Sequence, residues 1–285
     1  MADWDAWIGR KESCSDRIDP GALGRWLAML DRDAPADGTV PQGYNWCLGL
    51  PGAPTARLGP DGHPLRDDSA QSFLPPVPLP RRMWASSTLQ FLNPLRTGEA
   101  VTRTSRILSV VEKTGGSGRL VFVEIGHETC GENGLAVRDT QSIVYRDAAA
   151  ADTPLSPPPP GAATFDPAGW DAHRVITPTE ALLFRYSALT FNSHRIHYDL
   201  PYAQGVERYR GLVVHGPLTA SLLLDLARRQ LGDNALARFA FRGHSPAICG
   251  EAMRLLMRGT GTTFELAAFA ADGRQVMAAS ATRKD

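Results

Sequence analysis

The segment after His215 constrains the fold more than any other in this chain. From Gly216-Pro217 onward, Leu218, Leu222, Leu223, Leu226 and Ala227 recur at three- and four-residue spacing, while Ala220 and Leu224 put apolar groups on further faces. A helix with that pattern is predicted to be wrapped on most sides rather than laid on a surface. Gly216 reads as its N-cap and Pro217 as its first residue, where a fixed φ and a missing N–H cost nothing. Arg228 and Arg229 suit the negative C-terminal end, and Gly232 suits the left-handed closing position. The first N–H groups of such a helix form a fixed set of donors.

Something must do the wrapping, and the period of two supplies it. Trp84 to Phe91, Ala100 to Glu112, Arg119 to Cys130 and Ala136 to Arg146 are strand-like, divided by turns at Asn93-Pro94, Gly115-Gly116 and Glu132-Asn133-Gly134. Arg238 to Gly243, Glu251 to Arg258, Thr262 to Ala270 and Gln275 to Thr282 repeat the pattern. Ahead of the first set, Asp19-Pro20 caps an amphipathic helix through Trp26 and Leu30. Residues 33–82 are dense in Pro and Gly and read as a long ordered covering loop with one short helix or turn near Trp46. Ahead of the second set, Thr177-Pro178-Thr179-Glu180 reads as a capping box, with the Thr177 hydroxyl and Glu180 carboxylate opening a helix through Ser187. Between the sets, residues 147–163 hold Pro157 to Pro160 and read as a semi-rigid linker in polyproline II geometry. The class is therefore α+β, with a boundary at the linker.

Thirty basic and thirty acidic side chains cancel, which argues against nucleic acid and anionic membrane as partners. Charged residues near Trp4 and Trp7, and the want of about eighteen consecutive apolar residues, predict neither a signal peptide nor a spanning helix, hence a cytoplasmic protein. Cys14, Cys47, Cys130 and Cys249 are scattered and read as free thiols, with no zinc or redox motif.

Just before the constraining helix stand Phe191-Asn192-Ser193-His194-Arg195-Ile196-His197-Tyr198-Asp199 and Gly211-Leu212-Val213-Val214-His215-Gly216-Pro217. This pair of motifs resembles the site of MaoC-like, hotdog-fold enoyl-thioester hydratases and dehydratases. More narrowly it is similar to the FAS1-like dehydratases, a branch that includes mesaconyl-C4-CoA and itaconyl-CoA hydratases and mitochondrial 3-hydroxyacyl-thioester dehydratases. The resemblance implies a double hotdog: a unit over 1–146 with a degenerate site, the linker 147–163, and a unit over 164–285 carrying the catalytic motif, their sheets joined edge to edge. It also implies an acyl-CoA thioester as substrate, a homodimer as a possible assembly, and no metal or other cofactor. A short C4 or C5 enoyl-CoA with a free carboxylate is the expected substrate. A fatty-acyl carrier-protein dehydratase and a non-catalytic thioester-binding module are the alternatives.

Related hydratases use a D-x-N-P-x-H pair of acid and base, and the final His falls on His197, the expected catalytic base. The Asp falls on Asn192, whose amide cannot carry a proton at neutral pH, so Asn192 is expected to orient the water or the His197 ring. The motif's Asn and Pro fall on His194 and Arg195. His194 either takes part or holds the loop. Asp199 either fixes the imidazole or caps the short helix at Leu200-Pro201. Gly216 N–H is expected to bind the thioester carbonyl, with His215 beside it in a structural role. Arg195, Arg208, Arg210 and Arg242 are candidates for coenzyme A phosphates or a substrate carboxylate, or else solvated charges. Trp46 and Trp84 either roof an acyl pocket or pack in the core.

Overall fold

The computed structural model describes residues 4–115 and 118–284; Met1, Gly116 and Asp285, which fall within the expected unit limits and first hairpin turn, lie outside them. In chain order the elements are β1 (Lys11–Arg17), α1 (Pro20–Met29), β2 (Arg81–Phe91), β3 (Ala100–Gly115), β4 (Gly118–Gly131), β5 (Gly134–Arg146), β6 (Ala172–Ile176), α2 (Glu180–Thr190), α3 (Leu200–Gly205), α4 (Gly216–Leu231), β7 (Leu236–Gly243), β8 (Met253–Thr260), β9 (Thr263–Ala270) and β10 (Gln275–Arg283). The strands form one antiparallel sheet in the order β1-β3-β4-β5-β2-β7-β10-β9-β8-β6. Strands from residues 11–146 make one half and strands from 172–283 the other. They meet where β2 pairs with β7, Ser86 opposite Arg242 through Gln90 opposite Arg238.

All ten residues from Leu218 to Ala227 of α4 are buried, as an all-round apolar pattern requires. The helix packs against β2, β6, β8, β9 and β10, so the sheet curves around it. Leu23, Trp26, Leu27 and Met29 of α1 join this same core. The first half does not repeat the second closely, because α1 has ten residues against sixteen for α4. The far ends of the long strands β3 to β5 are covered instead by the proline-rich loop, which sets Val77 and Leu79 on Ile107, Val121, Val123, Ile125 and Tyr145.

Asp19 caps α1, accepting from Ala22 N at 2.7 Å. Two expected caps move. Thr179 rather than Thr177 caps α2, accepting from Leu182 N at 3.3 Å, because the Pro178 carbonyl is held outside the helix by Gly250 N at 2.7 Å. At α4 the N-cap is His215, and Gly216 is the first helical residue. The expected turn near Trp46 is a single 3-10 turn, Tyr44–Cys47. Two strands were not legible: β1 and β6 are the outer edges of the sheet, and β1 is mostly exposed and polar. No helix among the described residues is long and apolar enough to cross a membrane.

One charge is buried in the apolar helix. The Asp225 carboxylate receives Arg229 Nε at 2.7 Å, Arg174 Nη1 from β6 at 2.9 Å and Arg32 Nε at 3.4 Å, with its side chain fully enclosed. These pairs tie α4 to an edge strand and to the chain after α1. Asp225→Ala would leave guanidinium groups without their counter-charge, and we expect it to cost about 3–5 kcal/mol. Denaturant unfolding checks this; a loss below about 1 kcal/mol, typical of a surface ion pair, would mean the cluster is held by solvent rather than by Asp225.

Candidate active site

The segment ahead of α4 and the turn at Arg195–His197 hold each other through backbone. Val213 N donates to Ile196 O at 2.9 Å, and the Val213 carbonyl accepts from His197 Nδ1 at 2.7 Å. A carbonyl can only accept, so Nδ1 carries the hydrogen and Nε2 keeps its lone pair. The His197 ring stacks on His215, centroids 3.5 Å apart and 19° between planes. His215 in turn meets the Ser187 hydroxyl through Nε2 at 2.9 Å. Burial pushes His197 down to about 3 and His215 well below the ordinary imidazole range, so both rings are neutral at pH 7. Three residues beyond Val213, Gly216 carries one of the N–H groups that no preceding turn of α4 can accept. A Cβ on Gly216 would meet only Trp84 O, at 3.9 Å. The bulge in β2 between Trp84 and Ser86 lies beside it.

His194 is brought to within 5.5 Å of His197, ring to ring, and 4.2 Å of His63. Burial and then the charge of His63 lower it to about 3. His63 and Asp61 are the residues that sequence reasoning missed. They stand on a tight turn of the covering loop, Gly59 to His63, docked onto the motif by Arg195 N donating to Asp61 O at 2.9 Å and the Ser193 hydroxyl donating to Gly62 O at 2.5 Å. Gly62 is at φ +86°, and a Cβ there would lie 2.0 Å from Ser193 O, so only glycine permits this contact. His63 Nδ1 donates to Asp61 Oδ2 at 3.0 Å. Burial raises Asp61, but hydrogen bonds and charge from His63 outweigh it and hold the carboxyl at about 2. The available signal was Pro60-Asp61-Gly62, a turn that happens to carry a histidine. Asp61, His63 and His194 each bring a ligand-type atom within 4.8 Å of the others; in this group the Asp61 and His63 atoms are already joined by their hydrogen bond.

Other expectations divide. Asn192 Oδ1 accepts from His194 N at 2.9 Å, so the amide fixes the His194 backbone; the His197 ring is oriented by Val213 instead. Asp199 caps α3 through Tyr202 N at 3.0 Å, and its other oxygen holds Arg195 at 2.7 and 2.9 Å. Arg195 also donates to Pro60 O and lies over Tyr202, so its guanidinium is already committed. Arg210 forks onto Glu251, and Arg208 donates to Thr153 O at 2.8 Å. Arg242 is exposed, and its side chain has no hydrogen bond or ion pair among the described residues. Trp46 is buried in the core, donates to Asp139 at 3.0 Å and packs on Trp84 and Phe241, and with Trp84 it also walls a cavity.

A cavity of about 1150 Å³ is lined by His63, Asn192, His194, His197, Gly216, Arg82 and Arg242. A branch of about 500 Å³ runs past Arg82, Trp46, Trp84 and Tyr186. Another, of about 610 Å³, is walled by Phe184, Phe191, Leu212 and His197. Arg82, also missed from sequence, faces the cavity with no hydrogen bond or ion pair among the described residues, and its charge reaches His194.

Residues 43–249 match the family model described as hydroxyacyl-thioester dehydratase type 2. The chain is 41% identical over 285 residues to mesaconyl-C(4)-CoA hydratase of Chloroflexus aurantiacus, covering 98% of this chain and 97% of that one. In three dimensions it resembles a MaoC-like dehydratase of Phytophthora capsici, TM-score 0.71 at 14% identity over 100% and 99% of the two chains. It also resembles a Mycobacterium tuberculosis protein described as a double hotdog, TM-score 0.55 at 13% identity over 97% and 96%. The fold is a double hotdog, as the motif resemblance implies. Since the matched stretch takes in the histidine motif and the start of α4, and the likeness to the hydratase runs nearly end to end, the chain belongs to the hydroxyacyl-thioester dehydratase type 2 family.

Proposed function

We propose that this hydro-lyase adds water to the double bond of a short enoyl-CoA bearing a free carboxylate, with mesaconyl-C4-CoA as the first candidate and itaconyl-CoA as the second. What supports the reaction class most is one cavity lined both by an imidazole whose Nδ1 is committed to Val213 O and by the first residue of α4, with no partner for Nε2 or for the Gly216 N–H among the described residues. His197 Nε2 takes a proton from water as the water oxygen bonds to the β-carbon. The electron pair moves toward the thioester oxygen, and Gly216 N–H, at the positive end of α4, stabilises the enolate charge. The α-carbon then takes a proton to complete the hydroxyacyl thioester. Proton transfers and an oxyanion site are all that this reaction requires, so the proposal calls for no cofactor.

The substrate follows from the 41% identical relative and from Arg82. In mesaconyl-C4-CoA the free carboxylate is bonded to the β-carbon itself, so a cation that binds it must lie beside the base. Arg195, expected in that role, is spent on Asp199, whereas Arg82 is uncommitted and electrostatically in reach of His194. Arg242 is left for the coenzyme A phosphates. A carrier-protein dehydratase would use the same catalytic residues, and turnover of free CoA esters separates the two readings.

Two outcomes are expected. His197→Ala should lower kcat by about a hundredfold to ten-thousandfold, the usual worth of a positioned base, with the fold intact by circular dichroism. Because burial keeps His197 neutral far below pH 6.5, kcat/KM for the wild type should hold level through pH 6.5 and below; a tenfold loss per pH unit starting at 6.5 would show an ordinary, solvated imidazole.

For specificity, kcat/KM on mesaconyl-C4-CoA should exceed that on crotonyl-CoA and on a C8 enoyl-CoA. Arg82→Leu should lose about ten- to hundredfold on the carboxylated substrate, as expected for a hydrogen bond to a charged group worth about 1.5–3 kcal/mol, while leaving crotonyl-CoA nearly unaffected. If the uncharged thioesters win in the wild type, fatty-acyl chemistry replaces the carboxylate reading.

A further inference from the structure

Asn192 leaves the site without the carboxylic acid that the related D-x-N-P-x-H motif provides, because an amide neither gives nor takes a proton at neutral pH. Hydration needs two proton events, one at the water oxygen and one at the α-carbon. His197 is suited to the first. Its Nδ1 hydrogen is committed to a carbonyl, it has no carboxylate partner among the described residues, and burial keeps it neutral.

We propose that Asp61 and His63, carried by the covering loop from the other half of the chain, form the second proton carrier of the site, with His63 Nε2 addressing the α-carbon. This rests on the hydro-lyase reading above. The pair differs from His197 in the way a division of labour needs: Asp61 fixes the tautomer through His63 Nδ1 at 3.0 Å and balances the charge when the ring holds a second proton. His63 lines the same cavity as Asn192, His194, His197 and Gly216. The His194 ring stands between the two imidazoles, 4.2 Å from one and 5.5 Å from the other. Kept neutral by burial, it adds no charge between them.

The placement is fixed by backbone. Arg195 N to Asp61 O, Ser193 Oγ to Gly62 O and Arg195 Nη1 to Pro60 O pin the turn to the motif, and Gly62 lets the two chains touch. Other charges near this cluster include Arg82, which acts on His194, and Arg66, which acts on Asp61 while its guanidinium donates to Val77 O, Leu79 O and Pro80 O; Glu12, Asp67 and Arg103 line the same cavity as His63.

In the hydration direction, the water O–H breaks with its proton to His197 Nε2 and its oxygen bonds to the β-carbon. The His63 Nε2–H bond then breaks, its electron pair staying on the ring, and the proton bonds to the α-carbon as the enolate collapses. The proton on His197 returns to His63 through solvent in the open cavity, so each cycle consumes one water and leaves both rings as they began. Dehydration runs the same steps backward, His63 removing the α-proton.

The test uses the full chain and a substrate that the wild type hydrates, so a wild type without hydratase activity would count against the function while the measures below count only against His63. His63→Gln should lower kcat by about a hundredfold to ten-thousandfold with little change in KM, and should abolish exchange of the hydroxyacyl-CoA α-proton with deuterated solvent, followed by NMR. Asp61→Asn should lower both in parallel, to a smaller extent, and serves if His63→Gln does not fold. A loop fastener would lower stability or raise KM without removing α-exchange selectively. Wild-type kcat in folded His63→Gln or Asp61→Asn, or kcat lost with α-exchange retained, overturns the proposal. So does activity lost to a chelator and restored by zinc, which would make Asp61, His63 and His194 a metal site.

Discussion

Everything in this molecule answers to a helix that cannot face water. With Leu218 to Ala227 all buried, α4 has to be enclosed, and a single antiparallel sheet supplies the enclosure by curving around it. Enclosure has two further effects. The acid buried in α4, Asp225, must be answered by Arg229 on the same helix and by Arg32 and Arg174, and the last two fasten remote parts of the chain to it. And the N-terminal N–H groups, which a surface helix would give to water, are delivered to a cavity, where a donor is worth more than in solvent.

The catalytic chemistry proposed here depends on that burial as much as on the identity of the side chains. Three imidazoles in contact would repel one another if charged, and His194, His197 and His215 avoid this by being neutral, at the expense of titrating far below their usual range. A base held that way accepts a proton only weakly in its resting state, so its proton must be taken up as the negative charge of the enolate develops and passed on within the cycle. Gly216 N–H, which stabilises that negative charge, and a second carrier able to close the proton balance are what make such a weak base usable.

Legibility in the sequence followed how local each constraint is. The eight inner strands, the capped helix α1, the 3-10 turn near Trp46 and the layout of the motif follow from periodicity and turn chemistry within a few residues. The edge strands β1 and β6 do not, since a strand such as Lys11–Arg17, mostly exposed, is held by main-chain bonds to β3 and carries almost no apolar signal. The cap of α2 was misplaced by two residues because a contact to Pro178 from Gly250, 72 residues further along the chain, sets it. At the site, His194, His197, His215 and Gly216 stand together as the resemblance of the two motifs implies. Arg195 reads as a free cation only if one ignores Asp199 four residues on, at the separation where helical turns bring side chains together.

His63, Asp61 and Arg82 were invisible for a different reason. They come from the stretch of the chain where Pro and Gly suppress periodicity, and nothing within that stretch says which distant segment it covers. The one local trace is Gly62, whose backbone conformation and close approach to Ser193 leave no room for a side chain. A glycine between an acid and a histidine in a covering loop thus carries information about the site on the other half of the sheet, but that information is steric and becomes readable only when the partner chain segment is in place. The same logic accounts for the departure at Asn192: once a docked loop can present to the cavity an imidazole backed by a carboxylate, the motif's own acid is no longer the only route to a second proton, and its position is free to become an amide that holds His194 in register.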